Sequence, residues 1–183
     1  MVLLTGENNI NCSMLKIAIT GPESSGKTRL THDLAEHFAC PFSQEYARDF
    51  LQRSSGIYNK EDLLHILKGQ INLEEQFSQS KHPFLFCDTD PLVIWIWSKV
   101  KYNTVDPIID EILLSHHYDL HILVSPDIEW EYDPLRESKN DRVFLFQLYK
   151  EKLIELGFPF VIIHGEKDER MRIAIKAIES LIT

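Results

Sequence analysis

The sequence predicts an α/β fold in which a parallel sheet carries helices on both faces, and three observations predict it. Apolar runs of strand length, at residues 15–19, 84–87, 119–124 and 160–163, alternate with helical patterns along the chain. The runs are nearly continuous rather than alternating, as expected of strands buried on both sides. Between the first run and the first helical pattern stands Gly21-Pro22-Glu23-Ser24-Ser25-Gly26-Lys27-Thr28, which fills G-x-x-x-x-G-K-[ST] without a mismatch.

Glycines at 21 and 26 permit backbone angles and close approaches that a β-carbon obstructs, so consecutive N–H groups can converge on phosphate oxygens. The helix that follows, residues 29–38, brings partial positive charge at its start. Lys27 is expected to reach the β- and γ-phosphates as a point charge, and the Thr28 hydroxyl to ligate Mg²⁺. Four constrained positions match by accident in roughly one chain of this length in a hundred. Nucleotide binding is therefore expected, with the reaction left open; a Gly/Ser-rich loop with a chance lysine is the alternative.

With 183 residues, 44% hydrophobic and 26% charged, the chain has ordinary globular composition and room for one well-packed domain. A net charge of −9, with sparse and scattered basic residues, points away from nucleic acid as a partner. No apolar run approaches a membrane span and the start lacks a signal-peptide pattern, so no membrane partner is expected and the cytoplasm is the expected address. Cys12, Cys40 and Cys87 have no C-x-x-C spacing and the eight histidines are dispersed, so neither a disulfide framework nor a zinc site is expected. Residues 1–13 read as an N-terminal extension to one domain over residues 14–183, with Met14 a candidate native start.

After the first helix, Cys40-Pro41 marks a break before a strand of only a few residues. Glu45, Tyr46 and Arg48 follow at its carboxyl end, where open α/β sheets place ligands; an exposed helix start accounts for them equally well. Asn59-Lys60-Glu61-Asp62 has the spacing of a guanine-reading N-x-x-D, but it precedes a helical pattern in which Asn59 makes a good N-cap. Leu63, Leu64, Ile66, Leu67, Ile71 and Leu73 give that helix its apolar face. Gln70 and Glu74 fall one turn apart and face either a cleft or, the commoner outcome, solvent.

Next comes Phe84-Leu85-Phe86-Cys87-Asp88-Thr89-Asp90-Pro91, an apolar strand ending in two carboxylates. Asp88 stands where such a fold places the acid that holds Mg²⁺ or accepts a proton from an attacking hydroxyl. Asp90 before Pro91 suits a helix N-cap as well as a site. Trp95 and Trp97 lie in a segment, residues 92–100, that is apolar nearly all round, which predicts a buried helix rather than a stacking platform. Residues 106–114 and 168–181 make two more helices. Between the last two strands a proline-punctuated loop carries Trp130, Asp133 and Arg136 and leads to Arg142. Its composition suits a mobile cover that brings both arginines onto a transferring phosphate, the alternative being a plain surface loop.

Taken together, the phosphate loop, Glu45-Tyr46-Ala47-Arg48, Gly69-Gln70, Asp88-Thr89-Asp90, Pro126-Asp127 with Trp130, and Asp133-Pro134-Leu135-Arg136 resemble the ribosylnicotinamide kinase family. More closely, they resemble the kinase half of the bacterial bifunctional NAD-biosynthesis regulators, from about residue 15 to 181. The resemblance implies a P-loop, nucleoside-kinase-like three-layer fold with a five-stranded parallel sheet in the order 2-3-1-4-5. It also implies ATP- and Mg²⁺-dependent transfer of the γ-phosphoryl group to the 5′-hydroxyl of nicotinamide riboside, a nucleoside-like small molecule.

By position, the family's nucleotide loop falls on Gly21, Pro22, Glu23, Ser24, Ser25, Gly26, Lys27 and Thr28, with Thr28 and Asp88 on the metal. Glu45, Tyr46, Arg48, Gln70, Asp90, Trp130 and Asp133 match motifs that line the nucleoside side, and Arg136 and Arg142 match the cover. Lys27, Asp88, Glu45, Arg136 and Arg142 are thus the expected catalytic set, Asp88 or Glu45 meeting the acceptor hydroxyl. The bifunctional relatives carry an adenylyltransferase domain with an H-x-x-H type signature that these residues do not match, so only the kinase step is implied. Where well-known members have an aromatic residue before the Glu-Tyr pair this chain has Gln44, and a kinase for another nucleoside or nucleotide is the alternative. A nucleotide-gated regulator of the AAA type is the alternative from another class; Thr89, rather than the Glu of a hydrolytic pair, follows Asp88 and counts against it.

Overall fold

A computed structural model describes residues 14–134 and 140–182. The strands are β1 (Leu15–Thr20), β2 (Phe42–Ser43), β3 (Phe84–Asp88), β4 (Leu120–Val124) and β5 (Phe160–Ile163). They pair in parallel in the order β2-β3-β1-β4-β5, as the resemblance implied. The helices are α1 (Lys27–Phe38), α2 (Tyr46–Arg53), α3 (Lys60–Glu75), α4 (Pro91–Tyr102), α5 (Pro107–Ser115), α6 (Arg142–Leu156) and α7 (Lys167–Glu179).

Side chains alternate across a strand, and this decides which helical layer each residue meets. Ile17, Ile19, Phe84, Phe86, Ile122 and Val124 pack with Leu30, Leu34, Ala174 and Ile178, so α1 and α7 cover one face. Leu123 packs with Leu92, Ile96, Leu113, Leu145 and Leu153, which puts α4, α5 and α6 on the other. Full burial of each such side chain is worth about 1.5–3 kcal/mol, so the central strands that lead into the loops are also the most firmly held. Asp88, two residues beyond Phe86, therefore turns toward α1. Thr20, two beyond Ala18, turns toward the second layer.

Local chemistry sets the helix ends. Asn59 Oδ1 accepts from Glu61 N (2.8 Å) and Asp62 N (3.3 Å), and Asp62 Oδ2 accepts from Asn59 N (2.8 Å). Both members of the N-x-x-D spacing are thus committed to a capping box. Asp90 and Asp106 cap α4 and α5 ahead of Pro91 and Pro107.

One open alternative is decided and one expectation is corrected. Gln70 and Glu74 turn inward, 3% and 1% exposed, because each finds buried hydrogen-bond partners under α3. Trp97, expected in the core, is half-buried on the wall of a cleft, since α4 has more apolar residues than its packing covers. Residues 1–13 and Arg136 lie outside the described residues. No described helix is long and apolar enough to cross a membrane.

Candidate active site

β1 runs into the loop at Gly21 (φ 133°), where a Cβ would stand 2.9 Å from the Val124 carbonyl oxygen. Gly26 (φ 89°) then turns the chain into α1. Donors hold the loop carbonyls in place. Pro22 O accepts from Ser25 Oγ (2.7 Å) and Lys27 Nζ (3.0 Å), Ser24 O from Arg142 Nη1 (3.0 Å), and Ser25 O from Arg170 Nη1 (2.6 Å). Carbonyls fixed this way turn the intervening N–H groups toward the opposite side, where they form an anion-binding nest. Because α1 begins without a side-chain cap or an acid in its first turn, its positive end faces an anion unopposed.

Asp88 ends β3 and is 3% exposed. Burial raises its pKa, against a hydrogen bond from Thr28 and the positive charge of Lys27. Its Oδ1 has no hydrogen-bond partner among the described residues. A spare carboxylate oxygen beside a hydroxyl is an oxygen donor set of the kind a hard divalent cation takes, so Thr28 and Asp88 fit Mg²⁺. Thr89, next in the chain, is β-branched yet has φ 83°. Backbone strain of this kind gathers at functional sites. Behind it, Asp90 accepts from Thr20 Oγ1 (2.9 Å) and Val93 N (3.2 Å), and burial raises its carboxyl to about 7. His121 Nε2 lies 3.4 Å from Asp90, its pKa lowered to about 4 by burial.

Two hollows meet at Glu23, Lys27, Glu45 and Leu51. One, of about 420 Å³, lies over residues 23–29 with His32, Arg48 and Glu131 around it. The other, of about 330 Å³, runs from Gly21, Lys27 and Glu45 to Tyr58, Trp97 and Lys101, walled by Leu51, Ile66, Ile94 and Leu145. The first is charged; the second is mostly apolar with polar groups at its ends, the make-up of a small-molecule site.

Of the expected residues, Lys27, Glu45 and Gln70 line the apolar cleft and Arg48 lines the hollow over the loop. Arg48 Nη2 donates to Asp133 Oδ2 (2.8 Å), and the Arg142 guanidinium lies 5.7 Å from the Trp130 ring centre. Glu131 N donates to Ser24 Oγ (3.1 Å), so Glu131 and Arg142 tie their segment to the phosphate loop while Asp133 ties it to α2. Tyr46 and Asp90 are not among the residues lining either hollow. The Tyr46 ring fills the space over Gly69, where any Cβ would run into it, and Asp90 is buried as a helix cap.

The sequence reading missed Tyr58, Trp97, Lys101 and Tyr149 on the cleft wall: Trp97 and Tyr149 stand in helices, where aromatic residues read as core, while Tyr58 just ahead of α3 and Lys101 late in α4 carry no local signal. It also missed Arg170, 6% exposed, which donates to Gly165 O (2.8 Å), Ser125 O (3.0 Å) and the Asp127 carboxylate besides Ser25 O. A signal existed: Arg170 shares a helical stripe with buried Ala174 and Ile178, an odd place for a lone arginine.

Known proteins share this fold. The Trifunctional NAD biosynthesis/regulator protein NadR of Escherichia coli (strain K12) is 27% identical over 173 residues, 91% of this chain and 42% of the relative. The chain thus spans about two fifths of NadR's length, and its homology is to the C-terminal region of NadR. A NadR protein solved in complex with NR has the same fold at a TM-score of 0.81 and 24% identity, covering 92% of this chain and 51% of that one. A deoxyadenosine kinase from M. mycoides matches at a TM-score of 0.66 and 14% identity, covering 91% and 100%. The family model AAA_28, described as an AAA domain, matches residues 16–170, and the chain belongs to that family.

Proposed function

We propose that the chain is an ATP- and Mg²⁺-dependent kinase that moves the γ-phosphoryl group onto the 5′-hydroxyl of nicotinamide riboside. One observation carries this reading: Lys27 and Glu45 stand where a charged hollow over the phosphate loop meets an apolar cleft ending in Tyr58 and Trp97. A triphosphate chain suits the first, and a nucleoside with a flat ring suits the second. The name of NadR speaks of NAD biosynthesis and one solved form carries NR, which supports a pyridine nucleoside as acceptor.

In the transfer, the acceptor oxygen attacks the γ-phosphorus in line. The new O–P bond forms as the bond to the β,γ-bridging oxygen breaks, and the electron pair leaves with ADP. The hydroxyl proton passes to a carboxylate, Asp88 or Glu45. Lys27 and Arg142 supply positive charge to the oxygens around the γ-phosphorus, and the motif likeness gives Arg136 the same role. Thr28 and Asp88 would hold Mg²⁺, which would supply Lewis-acid withdrawal of charge from the phosphates. Gln70 accepts from Tyr46 N (2.9 Å) and donates to Ser43 Oγ (3.2 Å), holding the start of α2 where Glu45 meets the cleft.

A kinase for another nucleoside is the second reading, favoured by Gln44 and by the likeness to a deoxyadenosine kinase. Purified chain with ATP and Mg²⁺, offered nucleosides one at a time, separates the two by ADP release and monophosphate product. Nicotinamide riboside is expected to be phosphorylated faster than purine or pyrimidine nucleosides. Faster transfer to one of those overturns the acceptor. ATP hydrolysis independent of any acceptor overturns the kinase in favour of an AAA-type ATPase.

A further inference from the structure

The motif Glu45-Tyr46-Ala47-Arg48 opens α2, and the helix divides its residues between the two hollows. Glu45, Arg48 and Leu51 recur every three residues on one face, and all three line the hollow over the phosphate loop. Glu45 and Leu51 also line the apolar cleft together with Ala47, whereas Arg48 is not among the cleft's lining residues. The arginine that the motif likeness puts beside the nucleoside thus faces the phosphates, one turn beyond Glu45.

Its surroundings fix it there. Asp133 Oδ2 accepts from Arg48 Nη2 (2.8 Å); that bond raises the guanidinium's pKa against burial, and the charges of Glu45 and Asp88 add to the effect. Burial raises the Asp88 carboxyl, and Arg48 stands with Lys27 and His32 among the positive charges that oppose it. Arg48 therefore shares one field with both carboxylates that could take the acceptor's proton. A guanidinium is a planar fork of five N–H donors, so an acid can hold one edge while another edge meets an oxyanion. The holding acid is itself fixed, because the segment that carries Asp133 is tied to Ser24 of the phosphate loop through Glu131 N (3.1 Å) and Arg142 Nη1 (3.0 Å).

We infer that Arg48 is a catalytic residue that grips the transferring phosphoryl group from the α2 side, with Asp133 as its positioning residue. The inference rests on the kinase reading, and the bonds made and broken are unchanged. Lys27 belongs to the loop that keeps ADP, and Arg48 to the helix whose start meets the acceptor. Negative charge that moves with the phosphoryl group from one to the other finds a cation at each end.

Initial rates with ATP, Mg²⁺ and nicotinamide riboside test this, together with calorimetric binding of nicotinamide riboside and of nicotinamide mononucleotide. In Arg48→Met, kcat is expected to fall about a hundredfold with both KM values within about threefold of native. Affinity for the mononucleotide falls about tenfold while that for the riboside holds. Arg48→Lys keeps the charge without the fork and recovers about tenfold of the lost kcat. Asp133→Asn lowers kcat about tenfold, and the double variant with Arg48→Met falls no further than Arg48→Met alone, since one residue acts through the other. An unchanged kcat with a raised riboside KM, or equal weakening of riboside and mononucleotide, puts Arg48 on the nucleoside and overturns the inference. An unchanged kcat with a lowered urea midpoint leaves only a structural tie and overturns it as well. Either result leaves the kinase reading standing, whereas absence of transfer in the native chain overturns that reading and the inference with it.

Discussion

At the amino ends of the strands, Glu74 is buried and fully occupied: Tyr118 Oη donates to Oε1 (2.8 Å), while His116 Nε2 (2.9 Å) and Lys16 Nζ (3.4 Å) meet Oε2. At the carboxyl ends, Asp88 and Asp90 are buried as deeply, 3% and 1% exposed. Even so, Asp88 Oδ1 and Asp90 Oδ2 have no hydrogen-bond partner among the described residues. Taking a carboxylate out of water is equally unfavourable at both ends. The donors around Glu74 come from β1, from the C-cap of α5 and from just ahead of β4, so the acid staples α3 to the sheet. Around Asp88 the strand ends and loops supply fewer donors, which leaves carboxylate capacity for a ligand. A buried acid is structural where the fold supplies its donors and chemical where it withholds them.

Breaking the loop end should cost activity and little stability. Lys27→Ala is expected to lower phosphoryl transfer about a thousandfold with an unchanged urea midpoint. A matching loss of stability would erase the distinction between the ends. Breaking the other end should do the reverse: Glu74→Ala strips Tyr118, His116 and Lys16 of their shared acid. About 3 kcal/mol of stability is expected to go, while kcat per folded molecule holds. Urea titration, with turnover normalised to the folded fraction, checks both variants.

The pair Asp90 and His121 extends the comparison to pH. Burial raises the Asp90 carboxyl to about 7, so its stabilising share is complete below pH 3.8 and is lost as pH rises through 7. Burial lowers His121 to about 4, so its share is complete above pH 6.5 and is lost as pH falls through 4. The two slopes oppose, and native stability is expected to change little across the window they share. His121→Phe removes one slope. Its stability is then expected to fall by roughly 2 kcal/mol between pH 5 and 7. Equal urea midpoints at those two values would contradict the assignment.

The smallest effect is expected at Arg170. Arg170→Lys loses the planar fork that reaches the carbonyls of Ser25, Ser125 and Gly165 together. The KM for ATP should rise about tenfold with kcat nearly unchanged; initial rates across an ATP series measure both.

The loop end was readable from residues because phosphate binding constrains consecutive positions, Gly21 to Thr28, within one local structure. Asp88 was readable because a buried strand that ends in an acid puts it at the sheet's carboxyl edge, and alternation from Phe86 puts it on the α1 side. The cleft wall was not, since Tyr58 and Trp97 come from separate stretches and only the packing of α3 against α4 decides whether an aromatic ring is core or lining. Arg170 was hidden for the same reason, its loop partner Ser25 lying 145 positions away. The Tyr46 ring packs over the bare backbone of Gly69, a contact no local pattern announces.

Asp88→Asn separates the two kinds of buried acid most directly, because it keeps the shape and removes the charge. Single-turnover phosphoryl transfer and the urea midpoint are measured on one preparation. Transfer is expected to fall at least about a hundredfold while the midpoint stays equal or rises, since a charge held out of water has gone. Undiminished transfer with a lowered midpoint would contradict this and put Asp88 beside Glu74 among the structural acids.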